Sequence, residues 1–92
     1  DGIKSVTRRI KVVAGKTTPE HRHLSHTETI TVLSGMGKLI LEGVEVDLMA
    51  GATVSIAAGK RHAIKAMGSD LRCIEVSIGT DEKSTLDDEI IG

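Results

Sequence analysis

Apolar residues in this chain recur at every second position over short runs, and glycine-rich turns separate the runs. Val6, Arg8, Ile10 and Val12 alternate with Thr7, Arg9 and Lys11, the period of an extended strand with one buried face. Residues 28–33 are rich in β-branched side chains and stop at the turn signal Ser34-Gly35-Met36-Gly37. Residues 38–42 form the next run, followed by Gly43. Val44, Val46 and Leu48 alternate up to a bend at Ala50-Gly51. Residues 53–56 lead to Ala58-Gly59-Lys60, and residues 62–66 and 71–78 flank Gly68-Ser69-Asp70. Helical periodicity is almost absent; a single helical turn is expected near residues 86–91. The pattern predicts about seven or eight short strands, as in a β-sandwich, jelly roll or small barrel, and does not choose among these.

Composition narrows the function. The chain has 92 residues, 39% hydrophobic and 27% charged, which suits one domain with one core. Phe, Tyr and Trp are absent, so the core is built from aliphatic residues, Met and Ala. No aromatic platform exists for stacking on bases, which argues against single-stranded nucleic-acid binding. No apolar run approaches the length of a membrane span. The single cysteine, Cys73, excludes an internal disulfide and fits a reducing compartment. No secretory leader is legible, and a cytoplasmic location is expected. Five acids (Asp81, Glu82, Asp87, Asp88, Glu89) and one base (Lys83) lie beyond Gly79. Of 12 bases and 13 acids, eleven and eight therefore remain in residues 1–79. A mildly basic barrel, residues 1–79, is expected to carry an acidic tail, residues 80–92, packed on it or extending from it. The charge bias is either a solvated surface or a field that attracts small anions.

Three of the four histidines, His21, His23 and His26, fall within six positions. On an extended strand His21 and His23 point to the same face. Glu28 is expected on that face too, provided the intervening loop leaves the register unchanged. His62 supplies a fourth group from another strand. Imidazoles with one carboxylate suit one divalent transition metal: Mn, Fe, Co, Ni, Zn or Cu. Four protein ligands leave two positions of a six-coordinate ion open, as a catalytic site requires.

The spacing from Gly15 through His21, His23 and Glu28 to Gly35 resembles the first motif of the cupin family. That from Gly51 through Ala57 and Gly59 to His62 resembles the second. Ala57 stands where the family usually has Pro, and Ala66 where it usually has Asn. The resemblance covers roughly residues 8–79. It implies an all-β fold, a small cupin barrel (a double-stranded β-helix, or jelly roll) of six or eight strands in two antiparallel sheets. It implies metal ligation by His21, His23, Glu28 and His62 inside one end. Residues 27–35, 58–62, 74–79 and 86–91 are similar to the cupin domain of bacterial two-domain mannose-6-phosphate isomerases, although His21 and Thr29 replace a Gln and an aromatic common there.

Further candidates have both a chemical and a plain reading. His26, out of phase with His21 and His23, is a catalytic acid–base candidate, a support for a ligand, or a loop histidine. Lys60 and Arg61 precede His62 in a turn and are candidates to grip a phosphate or carboxylate, or are solvated. Arg72 shares parity with Ile74, Val76 and Ile78: it is an anion anchor if that face is interior and a rim residue if not. The expected function is divalent-metal binding, with an isomerase- or epimerase-like activity on a small anionic or sugar-like ligand as the first reading of what the metal does. A non-haem metal-dependent dioxygenase and a non-catalytic binding module are the alternatives. A homodimer is expected, because a small barrel has sheet edges to cover.

Overall fold

The structure, a computed structural model, describes residues 3–79 and 88–90. The described residues form nine strands: β1 (Lys4–Val12), β2 (His21–His23), β3 (His26–Ser34), β4 (Met36–Leu41), β5 (Val44–Met49), β6 (Thr53–Ile56), β7 (His62–Ala66), β8 (Leu71–Gly79) and β9 (Asp88–Ile90). One sheet has the order β1-β8-β3-β6 and the other β5-β4-β7-β2-β9. Every pairing between strands is antiparallel. The expected jelly-roll barrel is what forms, with a four- and a five-stranded sheet in place of six or eight strands in all. The extra strands are the three-residue β2 and β9. The helical turn expected near residues 86–91 is not what forms where the chain is described: Asp88–Ile90 lies in a ladder beside β2. The rest of the tail lies outside the described residues.

Strand parity divides the barrel interior in two. Along β3 the buried side chains are His26, Glu28, Ile30 and Val32, and along β8 they are Leu71, Cys73, Glu75 and Ser77. The register sets Glu28 opposite Ser77, Ile30 opposite Glu75 and Val32 opposite Cys73. Polar residues thus gather at one end of the interior and apolar residues at the other. The apolar end holds Val12, Ile30, Val32, Leu39, Leu48, Ile56, Ile64, Ala66, Leu71 and Cys73. Truncating Ile30 or Leu39 to Ala would cost about 2–5 kcal/mol, because both are fully enclosed. The polar end holds His23, His26, Glu28, His62, Glu75 and Ser77, all buried. Burying so many polar groups disfavours folding unless they are paired or hold an ion; the apolar end carries the stability and the polar end is free for chemistry.

Two glycines let strands come close. Gly35, between β3 and β4, has φ of 90°, a left-handed conformation that an L side chain rarely adopts. A Cβ there would also run into the backbone of Asp70 and Leu71. Gly79 faces His26 in the β3–β8 register, and a Cβ on it would strike the His26 side chain and the Ser25 carbonyl. Among the described residues no helix is long and apolar enough to cross a membrane.

Candidate metal centre

Three strands deliver four ligand atoms to one point. β2 brings His21 and His23, β3 brings Glu28 and β7 brings His62. One nitrogen or oxygen from each lies within 4.8 Å of all the others. The phase argument from the sequence needs correcting here. β2 turns its odd-numbered histidines inward, whereas β3 buries the even-numbered His26, Glu28, Ile30 and Val32. The bend at Leu24-Ser25 shifts the parity, so the loop does not preserve the register and Glu28 reaches the site because of that shift.

The imidazoles are oriented from outside. His21 Nδ1 lies 3.0 Å from the Pro19 carbonyl oxygen and His62 Nδ1 lies 3.0 Å from that of Lys60. A carbonyl only accepts, so each Nδ1 is the donor, and in the neutral ring Nε2 keeps its lone pair. This arrangement fixes the tautomer of metal-bound histidines. His62 Nε2 then sits 3.1 Å from Glu28 Oε1, and His23 Nε2 sits 2.9 Å from Glu28 Oε2. Glu28 is 1% exposed. Its oxygens lie close to the ring nitrogens, yet neither makes a well-formed hydrogen bond. With Nδ1 of His62 donating to Lys60, the His62 Nε2 and Glu28 Oε1 lone pairs face one another at 3.1 Å and need a proton or a cation between them. Burial alone would raise the Glu28 carboxyl; the His23 and His62 imidazoles, with Glu75, outweigh it and hold the group well below the usual carboxylate range. The donor set is an ionised carboxylate and three imidazoles, and the four residues fit a divalent transition metal. Their geometry does not choose which.

A cavity of about 460 Å³ leads to this cluster. It opens between β1 and the segment before β2, and it reaches His21, His62 and Glu75 past Arg8, Arg9 and Lys11. Arg8 and Glu75 are directly opposite in the β1–β8 register. Arg8 Nε and Nη2 donate to the same oxygen, Glu75 Oε1, at 3.0 and 2.6 Å. Glu75 is 3% exposed. Burial, then the neighbouring Glu28, pushes its carboxyl upward, and Arg8 opposes that rise. Sequence reasoning missed both residues. The signal was present: Arg8 occupies the apolar phase of β1, between Val6 and Ile10.

The remaining candidates are dispersed. His26 is buried, not on a loop surface, and its ring centroid lies 4.5 Å from that of His23. It does not line the cavity. Lys60 and Arg61 are exposed on the β6–β7 turn, outside the cavity lining. There Lys60 contributes its carbonyl to His62, and the Arg61 backbone N–H donates to Glu42 Oε2 at 2.6 Å. Arg72 is exposed and on the outer face, because Leu71, Cys73, Glu75 and Ser77 take the interior phase of β8. The open question of that face is thus decided by Glu75, not by Ile74.

The family model for the cupin domain matches residues 8–78. No curated protein matches the sequence. Among solved structures, an uncharacterized conserved protein with a double-stranded β-helix domain from Klebsiella pneumoniae superposes with a TM-score of 0.83 at 20% identity, over 96% of this chain and 75% of that one. The polyketide cyclase RemF from Streptomyces resistomycificus gives 0.73 at 26% identity, over 80% and 54%. A candidate sugar phosphate isomerase from Acidithiobacillus ferrooxidans gives 0.74 at 26% identity, over 84% and 51%. This chain thus spans only about half the length of the last two. With a matching family model over most of its length and the two-sheet barrel in place, the chain belongs to the cupin family.

Proposed function

We propose that this cupin binds one divalent transition-metal ion through His21, His23, Glu28 and His62. We propose further that it acts there as an isomerase or epimerase on a small anionic, sugar-like substrate. The observation that carries the reading is the convergence of Glu28 with the Nε2 atoms of His23 and His62, at the inner end of a cavity lined by three bases and one acid. When bound, the ion would supply Lewis acidity towards a substrate carbonyl or hydroxyl oxygen. The chain's own residues do the rest. The Pro19 and Lys60 carbonyls hold the His21 and His62 rings with Nε2 inward. Ile10, Pro19 and Ile64 give the cavity a dry wall. Arg8, Arg9 and Lys11 draw in an anion. His26 packs on the His23 ring and steadies it, a role that fits its place behind the ligands better than contact with substrate.

The substrate class is supported by the basic cavity, by the likeness to mannose-6-phosphate isomerase cupin domains in residues 27–35 and 58–62, and by the 26% identity to the candidate sugar phosphate isomerase. The test is solvent exchange: sugar phosphates are incubated with Mn-loaded protein in heavy water and followed by NMR. Deuterium entering at the carbon beside the carbonyl supports the reading; no exchange with any aldose or ketose phosphate removes it. Three imidazoles and a carboxylate suit ferrous iron equally, which favours a dioxygenase as the second reading; oxygen uptake by iron-loaded protein would select it. We also propose that the protein is cytoplasmic and a homodimer; β1 at the edge of its sheet and exposed Leu33 and Ile78 support the pairing.

A further inference from the structure

We propose that Arg8 is the anchor for the anionic group of the substrate and that Glu75 is the residue that positions it. The inference rests on the proposed use of this cavity and names the residues that would select its ligand. Three observations support it. Arg8 sits in the inward phase of β1, yet its side chain is 50% exposed where its partner Glu75 is 4% exposed. The guanidinium therefore spans from the buried wall to the open cavity. Secondly, the two hydrogen bonds from Nε and Nη2 converge on one oxygen. Such a grip removes most of the rotamer freedom of a long side chain and fixes where the guanidinium charge lies in the cavity before any ligand arrives. Thirdly, Glu75 and Glu28 are buried on the neighbouring strands β8 and β3, with Glu75 opposite Ile30 and Ser77 opposite Glu28, so the carboxylate that grips the guanidinium shares the polar end of the interior with a ligand of the proposed metal centre. His21 and His62 line the same cavity.

This layout sets the chemistry of the ligand. A molecule that fills the cavity places its anionic group on Arg8 and an oxygen a few bonds away at the histidine cluster. That describes a small hydroxylated acid or phosphate ester, and a carboxylate or a phosphate both suit a guanidinium cation. A neutral polyol lacks the first contact. Lys60, Arg61 and Arg72, the bases that the sequence brought forward, do not reach this cavity, so the selection falls to Arg8, with Arg9 and Lys11 adding to the field.

The test is calorimetric titration of the full-length chain, metal-free and Mn-loaded, with glucose, glucuronate and glucose 6-phosphate. Both anions are expected to bind at least tenfold more tightly than glucose, and the tighter of them tells carboxylate from phosphate. Arg8→Ala should abolish that preference, and Arg8→Lys should restore part of it. Glu75→Gln should weaken anion binding several-fold while an amide oxygen still accepts from Arg8, and Mn content should stay at the wild-type level in Arg8→Lys. Equal binding of glucose and the anions by the wild type, or anion binding unchanged in Arg8→Ala, would overturn the proposal. If the wild type takes no Mn, the metal reading falls, and the Arg8 dependence in the metal-free titration still decides this one.

Discussion

His21 and His62 face each other as the backbone pair that joins β2 to β7. Two metal-ligand candidates from distant parts of the chain are thus in register, and on that side the Gly59 N–H also donates to the His23 carbonyl at 2.7 Å. On its other side β9 pairs with all of it: Ile90 opposite His21, Glu89 opposite Arg22, and Asp88 opposite His23.

β9 is therefore expected to help hold the site assembled. A chain ending at Gly79 keeps every residue of the apolar core and loses the ladder beside β2. Its circular-dichroism spectrum should still be that of a β-protein, while Mn or Co affinity falls by roughly 10–100-fold, the range seen when supports of metal ligands are removed. Undiminished affinity would show that β2 needs no strap.

Gly79 tests the other flank. Gly79→Ala places a methyl group against His26 and the Ser25 carbonyl, at the point where β2 passes into β3. Overpacking of this kind costs about 1–3 kcal/mol. A lowered midpoint in urea, together with shifted His23 and His26 ring resonances, is expected; an unchanged spectrum would mean that the bend absorbs the methyl.

The buried acid pair gives the metal-free chain a pH signature. The Glu75 carboxyl is raised, first by burial and then by Glu28. The unfolded chain therefore releases that proton at lower pH than the folded one. The stability tied to Glu75 is full below the ordinary carboxylate range and is lost as pH rises through its folded value. Glu75→Gln cannot titrate, so its stability relative to wild type should improve as pH rises from about 4 to 7, the range above the ordinary glutamate value. Thermal melts across that range check it, and a constant difference between the two proteins would contradict it.

The homodimer is checked by size exclusion with light scattering. Twice the chain mass at micromolar concentration is expected; a monomer there would leave the edge of β1 and exposed Leu33 and Ile78 without a partner.

Much of this was legible from residues. Alternation gave most of the longer strands, and the spacing of His21, His23, Glu28 and His62 gave the cluster. What failed to show has physical causes. Parity carries through a strand but not through a bend, so the shift at Leu24-Ser25 hid both how Glu28 reaches the site and the burial of His26. The strand β9 is three residues long, too short for any period, and its conformation is set by β2 beside it. Arg72 and Glu75 sit on opposite faces of one strand, and the apolar Ile74, Val76 and Ile78 drew attention to the outer face. A charged residue in an apolar phase, as Arg8 is, was the sign of a working interior, and its partner could be found only from the β1–β8 register.

The decisive measurement is metal content by elemental mass spectrometry on tag-free protein, wild type beside His62→Ala. About one Mn, Fe, Co, Ni, Zn or Cu ion per wild-type chain, lost in the variant while the β-sheet spectrum persists, is the expected result. No metal above background in the wild type after reconstitution, or equal metal in the variant, would contradict a metal centre built on His21, His23, Glu28 and His62.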